Sequence, residues 1–155
     1  MIPPADDLDR IMAVMTTAFD PAFGEAWNRR QVEDALLLGQ TQYGLVGSNG
    51  QTPEGTEPAA GFFLSRTGVE EEELLLLAVV PDQRGKGLGR RLLSAMAEGA
   101  RQRGALRLLL EMRRGNPAEV LYSNFGFTPI GMRPNYYRTP QGERIDAITF
   151  ACTLD

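Results

Sequence analysis

Histidine is absent from the 155-residue chain, and cysteine occurs only once, as Cys152. The absence of histidine excludes the Ser-His-Asp and Cys-His catalytic schemes and removes the commonest zinc ligand. A single cysteine cannot form an intramolecular disulfide and leaves a structural zinc site without its usual ligands, so we expect no metal centre. Any acid–base chemistry must therefore fall to carboxylates, tyrosine, lysine or backbone dipoles.

The chain also lacks a basic surplus and a long hydrophobic run. Its formal net charge of −4 argues against a nucleic-acid partner, because proteins that bind nucleic acids usually carry excess positive charge. The longest wholly apolar run, Leu74–Val80, has seven residues and is too short to cross a bilayer. Residues 1–7 contain no leader segment. We therefore expect a cytoplasmic protein without a membrane partner, with one domain over residues 1–155.

Hydrophobic periodicity predicts an α/β fold. Helices are predicted at about residues 5–19 and 30–38, from residue 88 to a closing Gly104, and from Asn116 onward. Strands are predicted at residues 41–46, 60–65, 73–80, 105–112, 128–133 and 144–154. The first two strands form an antiparallel hairpin with a long loop. The unbroken apolar third strand indicates burial on both faces. The strand–helix–strand order that follows predicts a parallel pair in a mixed sheet, with helices on both faces.

The segment Arg84–Gly89 points to a ligand. Its three glycines lie between a buried strand and a helix start, where the backbone can approach an anion and free N–H groups can bind it. Lys86, Arg90 and Arg91 add positive charge, so the segment favours a phosphate or pyrophosphate. The glycine spacing fits neither a Walker loop nor the G-x-G-x-x-G dinucleotide fingerprint. The alternative is an ordinary glycine-rich turn surrounded by solvated charges.

The same glycines belong to a longer pattern. In Leu77–Gly89, the residues Arg84, Gly87 and Gly89 fill the pattern Q/R-x-x-G-x-G/A, and the segment resembles the coenzyme-binding segment of the GNAT acetyltransferase superfamily. Leu121–Phe127 is similar to the L-Y-x-x-x-G-F signature of that superfamily. The resemblance implies a single-domain GNAT fold, in which helices flank a central mixed and splayed β-sheet.

The C-terminal part of the chain carries a narrower resemblance. Residues 132–137, ending in Asn-Tyr-Tyr, and residues 142–147 resemble the RimI-type acetyltransferases, which acetylate the N-terminal alanine of a small-subunit ribosomal protein. The resemblance implies an acetyl-CoA-dependent N-acetyltransferase that acts on a protein N-terminus. Two alternatives remain: a GNAT enzyme that acetylates lysine side chains or small-molecule amines, and a non-catalytic module that binds CoA.

The GNAT resemblance also implies how acetyl-CoA would be bound. The pantetheine arm would pair with the backbone of Leu77–Val79, and the N–H of Val79 would stabilise the oxyanion. The diphosphate would rest on the N–H groups from Gly85 to Arg90. The predicted acetyl-CoA residues are Leu77, Ala78, Val79, Arg84, Gly85, Lys86, Gly87, Leu88, Gly89, Arg90 and Asn116.

Glu111 and Tyr122 are the candidate catalytic residues. A carboxylate at the end of an apolar strand is partly shielded from water, which suits a general base. The alternative is a solvated residue at a strand end, paired with Arg113 or Arg114. The resemblance places Tyr122 as the general acid that protonates the departing thiolate; otherwise a tyrosine on a short helix is expected to be a packed aromatic.

Four residues are predicted to contact the acceptor. Asn135, Tyr136 and Tyr137 would line a peptide channel, with aromatic packing at a strand end as the alternative. Trp27 either borders the cleft or anchors the start of the second helix. The acidic run Glu70–Glu73 would attract a basic peptide or, more often for such runs, form a solvated turn.

Overall fold

We describe a computed structural model covering residues 5–155; residues 1–4, on which the predicted absence of a leader partly rests, lie outside the described residues. The elements follow the predicted order. They are helices α1 (Ala5–Ala18), α2 (Arg29–Leu37), α3 (Leu88–Gln102) and α4 (Glu119–Phe125), and strands β1 (Thr41–Val46), β2 (Gly61–Thr67), β3 (Glu71–Val79), β4 (Arg107–Arg113), β5 (Thr128–Arg138) and β6 (Arg144–Thr153). The largest difference is in β5, which continues through the Asn-Tyr-Tyr segment instead of ending at Arg133.

The six strands form one mixed sheet in the order β1-β2-β3-β4-β6-β5. The predicted hairpin β1–β2 and the predicted parallel pair β3–β4 are both confirmed. The parallel pairing is short, since it joins only Glu71–Leu74 to Arg107–Leu110. Beyond Leu74 the two strands diverge while each stays paired to its other neighbour, so the sheet is splayed at its centre.

A β-bulge in β3 explains the pattern of its side chains. Leu64 of β2 is opposite Leu76, but the next residue, Ser65, is opposite Leu74, so Leu75 is the extra residue. Because of this insertion Leu74 packs in the cluster beneath α3, whereas Leu76 packs beneath α1 and α2. The prediction of burial on both faces is only half correct. Residues at even positions are buried, but those at odd positions are only half-buried.

Helices cover both faces of the sheet, as predicted. Helices α1 and α2 pack on one face over Phe62 and Leu64. Helices α3 and α4 pack on the other face, where α3 buries Leu88, Leu92, Leu93, Met96, Ala97 and Ala100. Among residues 5–155 we find no helix whose length and apolar character suffice to cross a membrane.

In the acidic run only Glu70 is exposed in a turn, as the solvated-turn interpretation predicts, and the attraction of a basic peptide stays a prediction. Glu71 pairs with Arg107 and Glu73 with Arg66 across neighbouring strands. Glu72 is fully buried, where it accepts hydrogen bonds from Ser65 and from the guanidinium of Arg103 after α3. The prediction of a solvated turn is therefore wrong for these three residues, since each carboxylate is paired with an arginine within the fold.

Candidate active site in the splayed cleft

The divergence of β3 and β4 opens a cleft of about 930 Å³. Its walls come from both strands, the glycine-rich loop, α4 and the segment between α1 and α2. The predicted site residues that line it are Trp27, Leu77, Ala78, Val79, Arg84, Gly85, Gly87, Leu88, Gly89, Arg90, Glu111, Asn116, Tyr122 and Tyr137. Lys86, Asn135 and Tyr136 lie outside it. The residues identified from the resemblance thus meet at one place, although they are far apart in the sequence.

The backbone of β3 presents polar groups to this cleft. The N–H of Val80 donates to Ala60 on the β2 side, at 2.8 Å. Because successive residues of a strand point their backbone groups to opposite edges, the N–H of Val79 faces the cleft, where β4 has already diverged. The carbonyl of Val79 accepts a hydrogen bond from Arg84 Nε at 3.0 Å. The splayed edge of β3 therefore offers an N–H donor at Val79, beside a carbonyl that is already satisfied.

The glycine-rich loop delivers the N-terminus of α3 to the cleft. Gly85 and Gly87 both have φ of +81°, a backbone conformation that residues other than glycine rarely adopt. The first helical bond runs from the N–H of Arg91 to Gly87 at 3.1 Å, so the N–H groups of Leu88, Gly89 and Arg90 precede the regular helical bonding. No acidic residue lies in the first turn of α3. Free donors, the helix dipole and the absence of a competing carboxylate make this end of the cleft suitable for a phosphate group.

Gly87→Ala is expected to weaken acetyl-CoA binding at least about tenfold, because the loss of one hydrogen bond to a charged group costs about 1.5–3 kcal/mol. A β-carbon at Gly87 would contact no protein atom within 4 Å, so the expected damage comes from the positive φ: a strained backbone would turn the N–H groups away from the ligand. The measurement is calorimetric titration with acetyl-CoA.

Gly104→Ala is the matched control for this change. Gly104 follows the other end of α3, has φ of +88° and is equally open around its β-carbon position. Both variants carry the same type of backbone strain, of about 1 kcal/mol, and should lose similar stability. Equal affinity for acetyl-CoA in the two variants would mean that the loop of Gly87 does not contact the coenzyme.

The charged side chains of Arg84 and Lys86, both in the glycine-rich loop, make different contacts. Arg84 bonds to the carbonyls of Val79 and of Ala18, at the end of α1, and so anchors the loop to both elements. Its guanidinium is occupied by the protein, so any contact with a ligand would come from its backbone. Lys86 donates to Gln83 and lines a second cavity of about 880 Å³ beside Arg91. Lys86 therefore does not line the splayed cleft, although its partner Gln83 does.

Glu111 lies in β4 on the wall opposite β3. Its Oε2 atom accepts a hydrogen bond from the hydroxyl of Thr149 at 3.2 Å and lies 3.4 Å from Nε of Arg133. The side chain is 20% exposed. The pairing with Arg113 or Arg114 considered from the sequence is wrong: Arg113 and Arg114 have other partners in the fold. Glu111 is held by one hydroxyl and one exposed arginine and still borders the cleft.

Tyr122 closes the base of the cleft on α4. It is only 7% exposed, and its ring packs edge-on against Phe127. Burial, and secondarily the negative charge of Glu25, raise the pKa of Tyr122 well above the ordinary value of a phenol. The phenol therefore keeps its proton at neutral pH. Tyr122 is thus both the packed aromatic expected from a short helix and a protonated group in the cleft wall.

Asn116 starts the turn that leads into α4. Its side-chain oxygen accepts a hydrogen bond from the N–H of Ala118 at 2.9 Å, and its carbonyl accepts from Glu119 at 3.1 Å. Regular α-helix begins only at Glu119, later than the predicted start at Pro117, because the first turn is tighter than an α-helix. Asn116 thus lines the cleft while it caps the segment that carries Tyr122.

Glu25 is a carboxylate of the cleft that no sequence motif indicates. Glu25 follows a short 3-10 turn and lies 3.6 Å from Nε of Arg113, the residue that ends β4. The guanidinium of Arg113 sits 3.5 Å above the ring of Phe23, and among the described residues its Nε is the one buried side-chain polar atom without a hydrogen bond. Glu25 was missed because its segment carries no recognisable motif; only packing of the loop against β4 brings it to the site.

The predicted acceptor residues are divided between the cleft and the surface. Trp27 lines the cleft and also packs against the cluster that contains Val32 of α2, and its contact with an acceptor stays a prediction. Tyr137 lines the cleft, and its pKa is raised to about 12 by burial and by the charges of Glu111 and Glu25. Asn135 is exposed, and Tyr136 is 50% exposed.

Comparison with known proteins identifies the family. Residues 49–129, just over half of the chain, match the acetyltransferase (GNAT) domain. The [ribosomal protein bS18]-alanine N-acetyltransferase of Haemophilus influenzae is 36% identical over 94 residues, which cover 61% of this chain and 64% of that protein. The alignment therefore spans less than two thirds of this curated relative.

Solved structures agree over a greater length. The ribosomal-protein-S18-alanine N-acetyltransferase of Escherichia coli superposes with a TM-score of 0.78 at 28% identity, covering all of this chain and 92% of the other. The yncA protein of Salmonella typhimurium, solved with its cofactor acetyl-CoA, has a TM-score of 0.57 at 27% identity and covers 66% of this chain and 62% of its own. These findings confirm the predicted fold and resemblance. The chain belongs to the GNAT acetyltransferase family.

Proposed function

We propose that this protein transfers the acetyl group of acetyl-CoA to the α-amine of a protein N-terminus, and that its substrate is the N-terminal alanine of ribosomal protein S18. The observation that carries the proposal is that Glu111, Tyr122 and the free N–H groups of α3 border one cleft. The relatives named as S18-alanine acetyltransferases support the choice of substrate. We also propose that residues 1–155 act as one domain, since helices from both halves of the chain pack on a single sheet.

The part of the cleft between the N-terminus of α3 and the edge of β3 fits acetyl-CoA, the acetyl donor. The N-terminus of α3 offers N–H donors and no acidic side chain, which suits the diphosphate. The edge of β3 from Leu77 to Val79 faces the opening left by β4, which suits the amide groups of a pantetheine arm. Acetyl-CoA supplies an acetyl thioester that is already activated for transfer.

The proposed chemistry uses three groups of the chain. Glu111 accepts a proton from the acceptor nitrogen as that nitrogen bonds to the acetyl carbon. The N–H of Val79 stabilises the negative charge that develops on the carbonyl oxygen. Tyr122 donates a proton to the sulfur as the carbon–sulfur bond breaks. Burial in the cleft wall keeps the phenol protonated and so leaves it a proton to donate, while the raised pKa makes it a weaker acid than a free phenol, so the transfer requires direct contact with the thiolate.

The part of the cleft near Glu25 and Glu111, where the acceptor would bind, suits an amine of moderate basicity. Glu25 and Glu111 place two carboxylates there, which attract a cationic acceptor. An α-amine has a pKa of about 7.7–8.0, so an appreciable fraction is neutral near pH 7.5, whereas only about 0.1% of a lysine side chain is neutral there. A single carboxylate base is therefore better matched to an α-amine, although this argument does not exclude lysine.

Two matched peptides test the proposal. One begins with a free alanine and has the basic character of a ribosomal protein terminus, with its lysines blocked; the other has a blocked N-terminus and a free lysine. We expect acetyl transfer only to the first peptide, with mass spectrometry locating the added group on the α-amine.

The other outcomes distinguish the two alternatives. Transfer to lysine, or to a small-molecule amine but neither peptide, would replace the proposed substrate class within the GNAT family. Tight binding of acetyl-CoA without turnover on any amine would indicate a non-catalytic binding module.

A further inference from the structure

Strand β5 contains a kink that separates two adjacent tyrosines. Its register against β6 is regular from Gly131 to Arg133 and resumes at Tyr137. Within the gap Asn135 has φ of +53°, in the left-handed region that few residues other than glycine adopt. After this turn Tyr136 lies outside the cleft, under the guanidinium of Arg133, while Tyr137 lines the cleft.

One carboxylate joins the kink to the rest of the fold. Asp146 of β6 accepts a hydrogen bond from the backbone N–H of Asn135 at 2.9 Å through Oδ1, and one from Arg114 Nε at 3.2 Å through Oδ2. The backbone N–H of Arg114 also donates to the carbonyl of Asp146 at 2.9 Å. The bond from Asn135, together with Arg114, lowers the pKa of Asp146, as expected for a carboxylate that works in its charged form. Asp146 thus ties β6, the kink of β5 and the turn after β4 together.

Both residues that flank the kink reach the proposed base. Arg133, just before it, lies 3.4 Å from Oε2 of Glu111. Tyr137, just after it, lines the same cleft as Glu111, and burial together with the charge of Glu111 raises the pKa of its phenol. A β5 that continued without the kink would keep the same alternation of side chains, but Tyr137 would lie two residues further along β6, opposite Glu143 instead of Ile145.

We propose that Asp146 is a positioning residue for the acceptor site: by holding Asn135 in the left-handed conformation, it keeps Tyr137 in the cleft and Arg133 beside Glu111. This proposal rests on the proposed function, because the acceptor is the molecule that would contact Tyr137. Asparagine tolerates the left-handed conformation better than most residues, but this conformation is still less favourable than the extended one, and the hydrogen bond from its N–H to Asp146 stabilises it.

Asp146→Ala is expected to raise KM for the alanine peptide at least about tenfold and to leave KM for acetyl-CoA unchanged. Asp146→Asn should stay near wild type, since an amide oxygen can still accept from the N–H of Asn135. Asn135→Gly combined with Asp146→Ala should recover most of the acceptor affinity, because glycine adopts positive φ without assistance. Asp34→Asn, which removes a carboxylate from an exposed ion pair on α2, is the control.

Three results would overturn the positioning role. They are an unchanged acceptor KM in Asp146→Ala, equal increases in KM for both substrates, and no recovery on adding Asn135→Gly. A crystal structure of Asp146→Ala gives a readout that does not depend on the substrate: we expect negative φ at Asn135 and Tyr137 withdrawn from the cleft. If the wild-type protein acetylates no peptide, the proposed function fails, but this structure still decides whether Asp146 holds the kink.

Discussion

Glu111→Gln is expected to lower kcat on the alanine peptide by at least about 100-fold at pH 7, because a general base contributes roughly 10²–10⁴-fold. The glutamine oxygen can still accept from the hydroxyl of Thr149, so the cleft should keep its shape. Only the charge beside Arg133 is lost, and an exposed pair of this kind contributes about 1 kcal/mol or less to stability. The measurements are kcat and KM for both substrates, acetyl-CoA affinity and thermal unfolding.

Two further carboxylates make this experiment specific. Glu33→Gln removes an exposed carboxylate that pairs with Arg29 on α2, and we expect its kcat to equal that of the wild type. Glu25→Gln removes the carboxylate of the cleft that pairs with Arg113 and tests the rival base. If Glu25→Gln loses the rate and Glu111→Gln keeps it, the base is Glu25. If both keep it, neither carboxylate takes the proton, and the proposed mechanism is wrong.

The part of the fold that could be predicted from the sequence is governed by local patterns. The loop from Arg84 to Gly89 and helix α3 lie where the glycines and the apolar spacing placed them, since turn conformation and helix amphipathicity depend on neighbouring residues. The divergence of β3 from β4 followed only from the GNAT resemblance. Nothing in the two apolar strands themselves indicates where their pairing ends.

Features that depend on contacts between distant segments could not be predicted. The bulge at Leu75 leaves no mark in a run of leucines, because it is defined by the partner strand. Burial of Glu72 depends on Ser65 in β2 and Arg103 after α3. In the cleft, Glu25 is brought in by its contact with Arg113, whereas Glu111 and Tyr122 could be named only because their motifs resemble a known family.

Arg103→Ala is expected to lower the free energy of unfolding by about 3 kcal/mol, because removing one partner of a buried ion pair leaves an uncompensated charge. Glu72 is fully buried, and Arg103 holds both of its oxygens at 2.7–2.9 Å. The value lies at the lower end of the usual range because the side chain of Arg103 is 32% exposed. Urea-induced unfolding, followed by circular dichroism, measures the change.

Arg101→Ala is the matched control, since Arg101 is on the same helix and forms only an exposed pair with Glu98 at 3.8 Å. We expect a change of about 0.5 kcal/mol or less for it. Adding Glu72→Gln to Arg103→Ala should recover part of the loss, because a neutral amide can bond to Ser65 without a buried charge. A loss of less than about 1 kcal/mol in Arg103→Ala would show that water replaces the guanidinium. The ion pair between Arg103 and Glu72 also bears on the cleft. Glu72 is opposite Leu108 in the short parallel pairing of β3 and β4, so Arg103 stabilises the paired segment from which the two strands diverge.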